Sequence, residues 1–178
     1  GLYRTSLKGL TPERAMETVF SGNPWTTSFT EDSFGNIWIG TYRNGTFCFH
    51  KNQTPFQKSM SGKNIECMST DHSGNYWIGS LNGEVCVLDS TQKQIMGKTI
   101  FPNDMIHTIC GQESSNKVWV GTMYGLYEAW IESNKQIVYQ KTSGINIPSI
   151  RSIVQDSCFL WIASYNNGVT LYNYSTQQ

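Results

Sequence analysis

Four short segments carry one pattern: IWIGT ending at Thr41, YWIGS ending at Ser80, KVWVGT ending at Thr122 and FLWIAS ending at Ser164. Their tryptophans, Trp38, Trp77, Trp119 and Trp161, stand 39, 42 and 42 residues apart. One hydrophobic strand can resemble another by chance, but four at near-fixed spacing require an internal repeat. A period of roughly 40–45 residues is the length of one four-stranded propeller blade.

Within each unit the elements follow one order. A first strand (IECMSTD, IHTICGQ or IRSIVQD) runs into a tight turn, a second carries the tryptophan, and a third opens on glycine (GEVCVL, GLYEAW, GVTLYN). A weaker outer strand such as QIMGKTI or QIVYQKT comes last. Strands of about five residues, with turns between them and no helical periodicity, mark an all-β fold. In DSFGN and DHSGN, Gly35 and Gly74 supply the positive φ of a tight hairpin, and Asp32 and Asp71 can accept turn amide hydrogen bonds. The third residue of the first strand is small in all four units (Ser28, Cys67, Thr108 and Ser152), as crowding near an axis demands. The third unit departs from the pattern, with ESSNK in place of DxxGN and one extra turn residue. These features predict β-propeller blades, about four four-stranded antiparallel repeats of roughly 42 residues, forming a partial or small propeller. The units span approximately 1–20 (last two strands only), 25–60, 64–101, 105–142 and 149–178.

A chain of 178 residues is long enough for one packed domain. Its 13 basic and 13 acidic residues balance and form no long run of one sign, which excludes the electrostatic footprint of a nucleic-acid binder or a polybasic membrane anchor. No apolar run approaches the roughly 20 residues of a membrane helix, so no membrane contact is expected within this segment. Cys48, Cys67, Cys86, Cys110 and Cys158 stand singly, and the expectation is five free, largely buried thiols.

The combined motif I-x-x-I…D-x-x-G-x-[IL]-W-[IV]-G-T…G-[GL]-[LV]-x-x-[YF] resembles the two-component regulator propeller repeat. The resemblance covers nearly the whole chain, and GLYRTS aligns with GLYEAW as the third strand of a preceding blade, RAMETVF being its outer strand. It implies a sensor region of a bacterial hybrid histidine-kinase regulator, on the periplasmic or extracellular side of the inner membrane. Any kinase then lies outside this segment, which is itself expected to be no enzyme. The family's propellers hold more blades than this chain, so its neighbours are either the remaining blades or a second copy. A homodimer of two arcs with an apolar interface beyond about 2,000 Å² is the expected assembly. Closure of the chain on itself, with RAMETVF completing the last blade, is the alternative.

Catalytic and metal signatures are missing from the sequence. His50, His72 and His107 fall at unrelated blade positions without metal-ligand spacing, and no P-loop, dinucleotide fingerprint or GxSxG occurs. No metal or cofactor is expected. In a propeller, the loops leading into the first strands share a face with those joining the second and third strands. Here they carry Trp25, Tyr42, Arg43, Tyr124, Tyr165 and Asn166. Aromatic faces beside polar groups suit a sugar ring, whose C–H face stacks while its hydroxyls take the polar partners. The same residues also suit plain capping of blade edges. The second residue of each inner strand is polar in every unit: Thr27, Glu66, His107 and Arg151. These are candidates to line the central channel or its mouth; mutual hydrogen bonding or channel water accounts for them equally well. The leading expectation is a ligand-sensing module for an oligosaccharide or similar small molecule. A protein–protein scaffold without a small ligand is the alternative. A propeller enzyme of the streptogramin-lyase type is third, and only His107 with Glu66 comes near the acid/base pair it needs.

Overall fold

The aspartates of the repeat explain why each unit turns where it does. Asp32 accepts hydrogen bonds from the Asn36 backbone N–H and side-chain amide, both at 2.8 Å, and from Trp38 Nε1 at 3.2 Å. Asp71 repeats the arrangement with Asn75 (2.9 Å twice) and Trp77 Nε1 (2.9 Å). Each carboxylate thus closes its hairpin turn and fixes the indole that the following strand buries. Gly35 and Gly74 sit at φ 77° and 79°, where a side chain would be strained. In the third unit Gln112 stands in the aspartate's place and bonds Glu128 instead, at 2.9 Å. Trp119 Nε1 is left without a hydrogen-bond partner among the described residues.

The structure is a computed structural model that describes residues 3–4, 17–18, 25–32, 35–49, 57–59, 62–89, 91 and 94–176. Every regular element among them is a strand. A short pair, β1 (Tyr3–Arg4) and β2 (Glu17–Thr18), precedes the blades. Blade 1 comprises β3 (Thr26–Glu31), β4 (Ile37–Thr41), β5 (Gly45–Phe49) and β6 (Gln57–Ser59). Blade 2 is formed by β7 (Ile65–Thr70), β8 (Tyr76–Ser80), β9 (Glu84–Leu88) and β10 (Gln94–Thr99). In blade 3 the strands are β11 (Ile106–Gly111), β12 (Lys117–Thr122), β13 (Leu126–Ile131) and β14 (Ile137–Lys141). Blade 4 has β15 (Ile150–Asp156), β16 (Phe159–Ser164) and β17 (Gly168–Asn173). Each is an antiparallel meander in chain order, and the inner strands β3, β7, β11 and β15 pack side by side.

The core lies between blades, in three clusters. Trp38 and Cys48 of blade 1 meet Ile65, Met68, Tyr76 and Ile78 of blade 2. Trp77, Val85 and Val87 of blade 2 meet Ile106, Ile109, Val118 and Val120 of blade 3. Trp119 and Leu126 of blade 3 meet Ile150, Ile153, Leu160 and Ile162 of blade 4. The tryptophan-bearing face of each blade therefore packs on the opposite face of the next. Trp38, Trp77 and Trp119 are 1 %, 0 % and 3 % exposed, whereas Trp161 is 47 % exposed, because no blade follows blade 4 among the described residues.

One expectation needs correction. All five cysteines are free, but only Cys48, Cys67 and Cys86 are buried; Cys110 and Cys158 are half-buried, and Cys158 lies in the β15–β16 turn. Glu17–Thr18, the described part of RAMETVF, pairs with Tyr3–Arg4, as the alignment of GLYRTS with a third strand requires, and the last sheet has three strands among the described residues. The rest of the 1–20 unit, and His50, lie outside the described residues.

Candidate functional site

The ladder between first and second strands slips at the same point in all four blades. Thr26 pairs with Thr41 and Ser28 with Gly40, and the same step recurs at Ile65/Cys67, Ile106/Thr108 and Ile150/Ser152. One residue per blade is left opposite nothing: Thr27, Glu66, His107 and Arg151. A β-bulge bends its strand and re-aims the extra side chain. Here all four side chains border one cavity of about 660 Å³, together with Trp25, Thr26, Tyr42, Leu81 and Met105. The polar second position of each inner strand, visible in the sequence, is thus the bulge position.

Backbone hydrogen bonds clip the loops beside the bulges. Tyr42 N–H donates to the Trp25 carbonyl at 2.9 Å, Leu81 to Asn64 at 3.2 Å, Met123 to Met105 at 3.2 Å and Tyr165 to Ser149 at 3.0 Å. In each blade this ties the loop leading into the inner strand to the loop between the second and third strands. Trp25 and Tyr42 consequently stack, with ring centroids 6.1 Å apart and planes 29° from parallel. The residue after the clip stands away from the cavity. Arg43, at φ 73°, lays its guanidinium over the Tyr42 ring, 5.1 Å from its centroid, and does not border the cavity. Tyr124 and Asn166 are exposed and do not border the cavity. Tyr165 joins it indirectly, since the Arg151 guanidinium lies 5.3 Å over its ring. Sequence reasoning missed Leu81 and Met105, whose apolar side chains gave no polar signal; their loop positions match those of Tyr42 and Trp25.

The charged groups have a defined arrangement. Arg151 Nη1 approaches His107 Nδ1 at 3.2 Å. A guanidinium only donates, so His107 Nδ1 accepts and its proton resides on Nε2. That Nε2–H is buried without a partner among the described residues. Burial, and then the Arg151 charge, hold the His107 pKa below its ordinary value, keeping the ring neutral. Burial raises the Glu66 pKa against the opposing pull of Arg151. In this tautomer the Nδ1 lone pair of His107 is taken up by Arg151, and its N–H points away from that contact. No group of three metal-ligating side chains occurs among the described residues.

Comparison with known proteins agrees with the fold. The family model of the two component regulator propeller matches residues 20–43, the segment containing Trp25, the blade 1 turn and Trp38. Among curated proteins, none matches the chain. Among solved structures, the extracellular domain of BT3049 from B. thetaiotaomicron, described as a hybrid two component system, is similar at TM-score 0.67 and 24% identity, over 92% of this chain and 23% of that one. The extracellular domain of BT4673 from the same organism, described as a one component system, is similar at TM-score 0.63 and 23% identity, over 84% of this chain and 20% of that one. A structure of YCF48 bound to D1 peptide reaches TM-score 0.69 at 12% identity, over 89% of this chain and 54% of that one. The chain spans about a fifth of the length of the two extracellular domains. In fold it is an arc of β-propeller blades, and its residues 20–43 match the two component regulator propeller repeat.

Proposed function

We propose that this chain is a ligand-sensing part of an extracytoplasmic two-component sensor, and that it binds a carbohydrate or similar small molecule at the mouth of the propeller axis. One observation carries the reading. The cavity sets a stacked aromatic pair, Trp25 and Tyr42, beside the polar bulge residues Glu66, His107 and Arg151. A flat aromatic wall facing mixed donors and acceptors is the chemistry a sugar ring recruits. The matched repeat and the similar extracellular domains support placement in such a sensor, outside the cytoplasm.

The test is calorimetric titration of the intact protein after a thermal-shift screen against a glycan library. Trp25→Ala and Tyr42→Ala are expected to weaken binding by roughly 1 kcal/mol or more each. Both side chains lie at the cavity mouth, so the melting temperature should hold. A saccharide that binds equally well to both variants would move the site elsewhere. A screen without any saccharide hit would favour the second reading, an interaction scaffold, for which the bare tryptophan face of blade 4 already speaks.

A further inference from the structure

The cavity contains one basic and one acidic side chain, Arg151 and Glu66, and neither forms a salt bridge with the other or with any other described residue. Arg151 bonds neutral His107 and stacks over Tyr165; no carboxylate pairs with it among the described residues. Its guanidinium has five N–H groups in a fixed fork, and one contact to His107 leaves most of them for a ligand. Glu66 receives no hydrogen bond from any described residue, so its carboxylate has open acceptor sites. The two sit on the bulges of blades 2 and 4, with the His107 bulge of blade 3 between them. This is a donor fork and an acceptor fork facing one cavity, beside an aromatic wall.

We propose, resting on the saccharide reading above, that the ligand is an uncharged sugar whose neighbouring hydroxyls span Glu66 and Arg151, and that these two residues together select against uronic acids and amino sugars. A hydroxyl both donates and accepts, so adjacent hydroxyls satisfy both forks at once. A carboxylate-bearing sugar gains Arg151 but meets Glu66, and an amino sugar gains Glu66 but meets Arg151. Both side chains border the same cavity, so those gains and losses are of the same order. His107 does not break the balance, because burial and the Arg151 charge keep it neutral.

The experiment titrates the intact protein, as wild type and as Glu66→Gln, with neutral oligosaccharides (xylan-, mannan- and glucan-derived) and with oligogalacturonides and chitosan oligomers. Neutral oligosaccharides are expected to bind best, and Glu66→Gln to weaken them about tenfold, the loss of charged acceptance from hydroxyls. The substitution keeps the side-chain shape, and unchanged far-ultraviolet circular dichroism and melting temperature confirm the fold. Preference for oligogalacturonides, tightened rather than weakened by Glu66→Gln, overturns the inference and leaves the saccharide reading standing. Preference for chitosan oligomers overturns it as well, as does neutral-sugar binding indifferent to Glu66→Gln. Failure of every class to bind overturns the reading it rests on and the inference with it.

Discussion

Asp32 concentrates more of the fold's polar bonding than any sequence motif spells out. Besides the turn and Trp38 it accepts the Tyr76 hydroxyl of the next blade at 2.6 Å, so one carboxylate joins two blades. Burial alone raises its pKa, but hydrogen bonds from Tyr76, Asn36 and Trp38 outweigh that and lower it to about 2. A folded pKa below the unfolded value means that the unfolded chain takes up the proton first. The stabilisation is complete above about pH 4 and is lost as pH falls towards 2, and its size is on the order of 2 kcal/mol. Asp32→Asn is therefore expected to cost about 2 kcal/mol at neutral pH, with the gap to wild type narrowing below pH 4 in urea titrations. A gap that stays constant with pH would show that the charge is not what these donors require. The aspartate and the tryptophan were both legible as repeat positions, and so was the turn. Their mutual bond was not, because six residues of sequence separation say nothing about an indole N–H folding back over its own hairpin. Nor did the sequence separate Tyr42, which borders the cavity, from Arg43, Tyr165 and Asn166, which do not. That choice is made by turn geometry, in which Arg43 adopts positive φ.

At the scale of the strand, the glycine after each Trp-Ile or Trp-Val pair records how closely blades approach. A Cβ built on Gly79 would lie 2.7 Å from Ile106 Cγ2 and 2.8 Å from Cys67 Sγ; on Gly121 it would lie 2.5 Å from Ile150 Cγ2 and 2.6 Å from Thr108 Cγ2. In each case the isoleucine opens the inner strand of the following blade. Alanine at either site gains about 0.4–1 kcal/mol by restricting the unfolded chain. The overpacking it introduces costs about 1–3 kcal/mol, and the larger effect wins. Gly79→Ala and Gly121→Ala are accordingly expected to be net destabilising by about 1 kcal/mol or more in chemical denaturation. A stabilised Gly79→Ala would mean that blades 2 and 3 stand farther apart than described. Blade 4 has Ala163 at this position, half-buried, where no further blade presses on it among the described residues. The four-strand order, the small third residues and the variant third turn were all readable from the repeat. The bulge was half readable: polarity marked the position, but only the register shift shows why four polar side chains from four strands converge.

For the whole molecule the question is what covers the two ends of the arc. On blade 4, Val154 pairs with Trp161 and Trp161 with Leu171, giving a cross-strand apolar row on the face opposite the blade 3 contact. These side chains are 57 %, 47 % and 48 % exposed, and on blade 1 Phe29 is 77 % exposed. The interior interfaces each join a tryptophan face to the reverse face of the next blade, so among the described residues the arc ends in one of each: the apolar row of blade 4 and, on blade 1, a reverse face where Phe29 is exposed although Ile39 beside it is buried. A head-to-tail meeting of two copies matches face to reverse face, and repeat arrays without polar caps favour that outcome. Size at the contact fits as well. Ala163 adds a methyl where the other blades have glycine, and blade 1 presents Thr26 where blades 2, 3 and 4 present Ile65, Ile106 and Ile150. The 178-residue chain is therefore expected to self-associate at micromolar concentration, which light scattering on a sizing column measures directly. Trp161→Glu should return it to monomer while leaving its unfolding midpoint within the small range of surface substitutions, about 0.5 kcal/mol, since this side chain is already half in water. A wild-type chain eluting as one species at the 20.1 kDa monomer mass, with cooperative unfolding, would rule out the dimer and leave these faces to other blades or another partner.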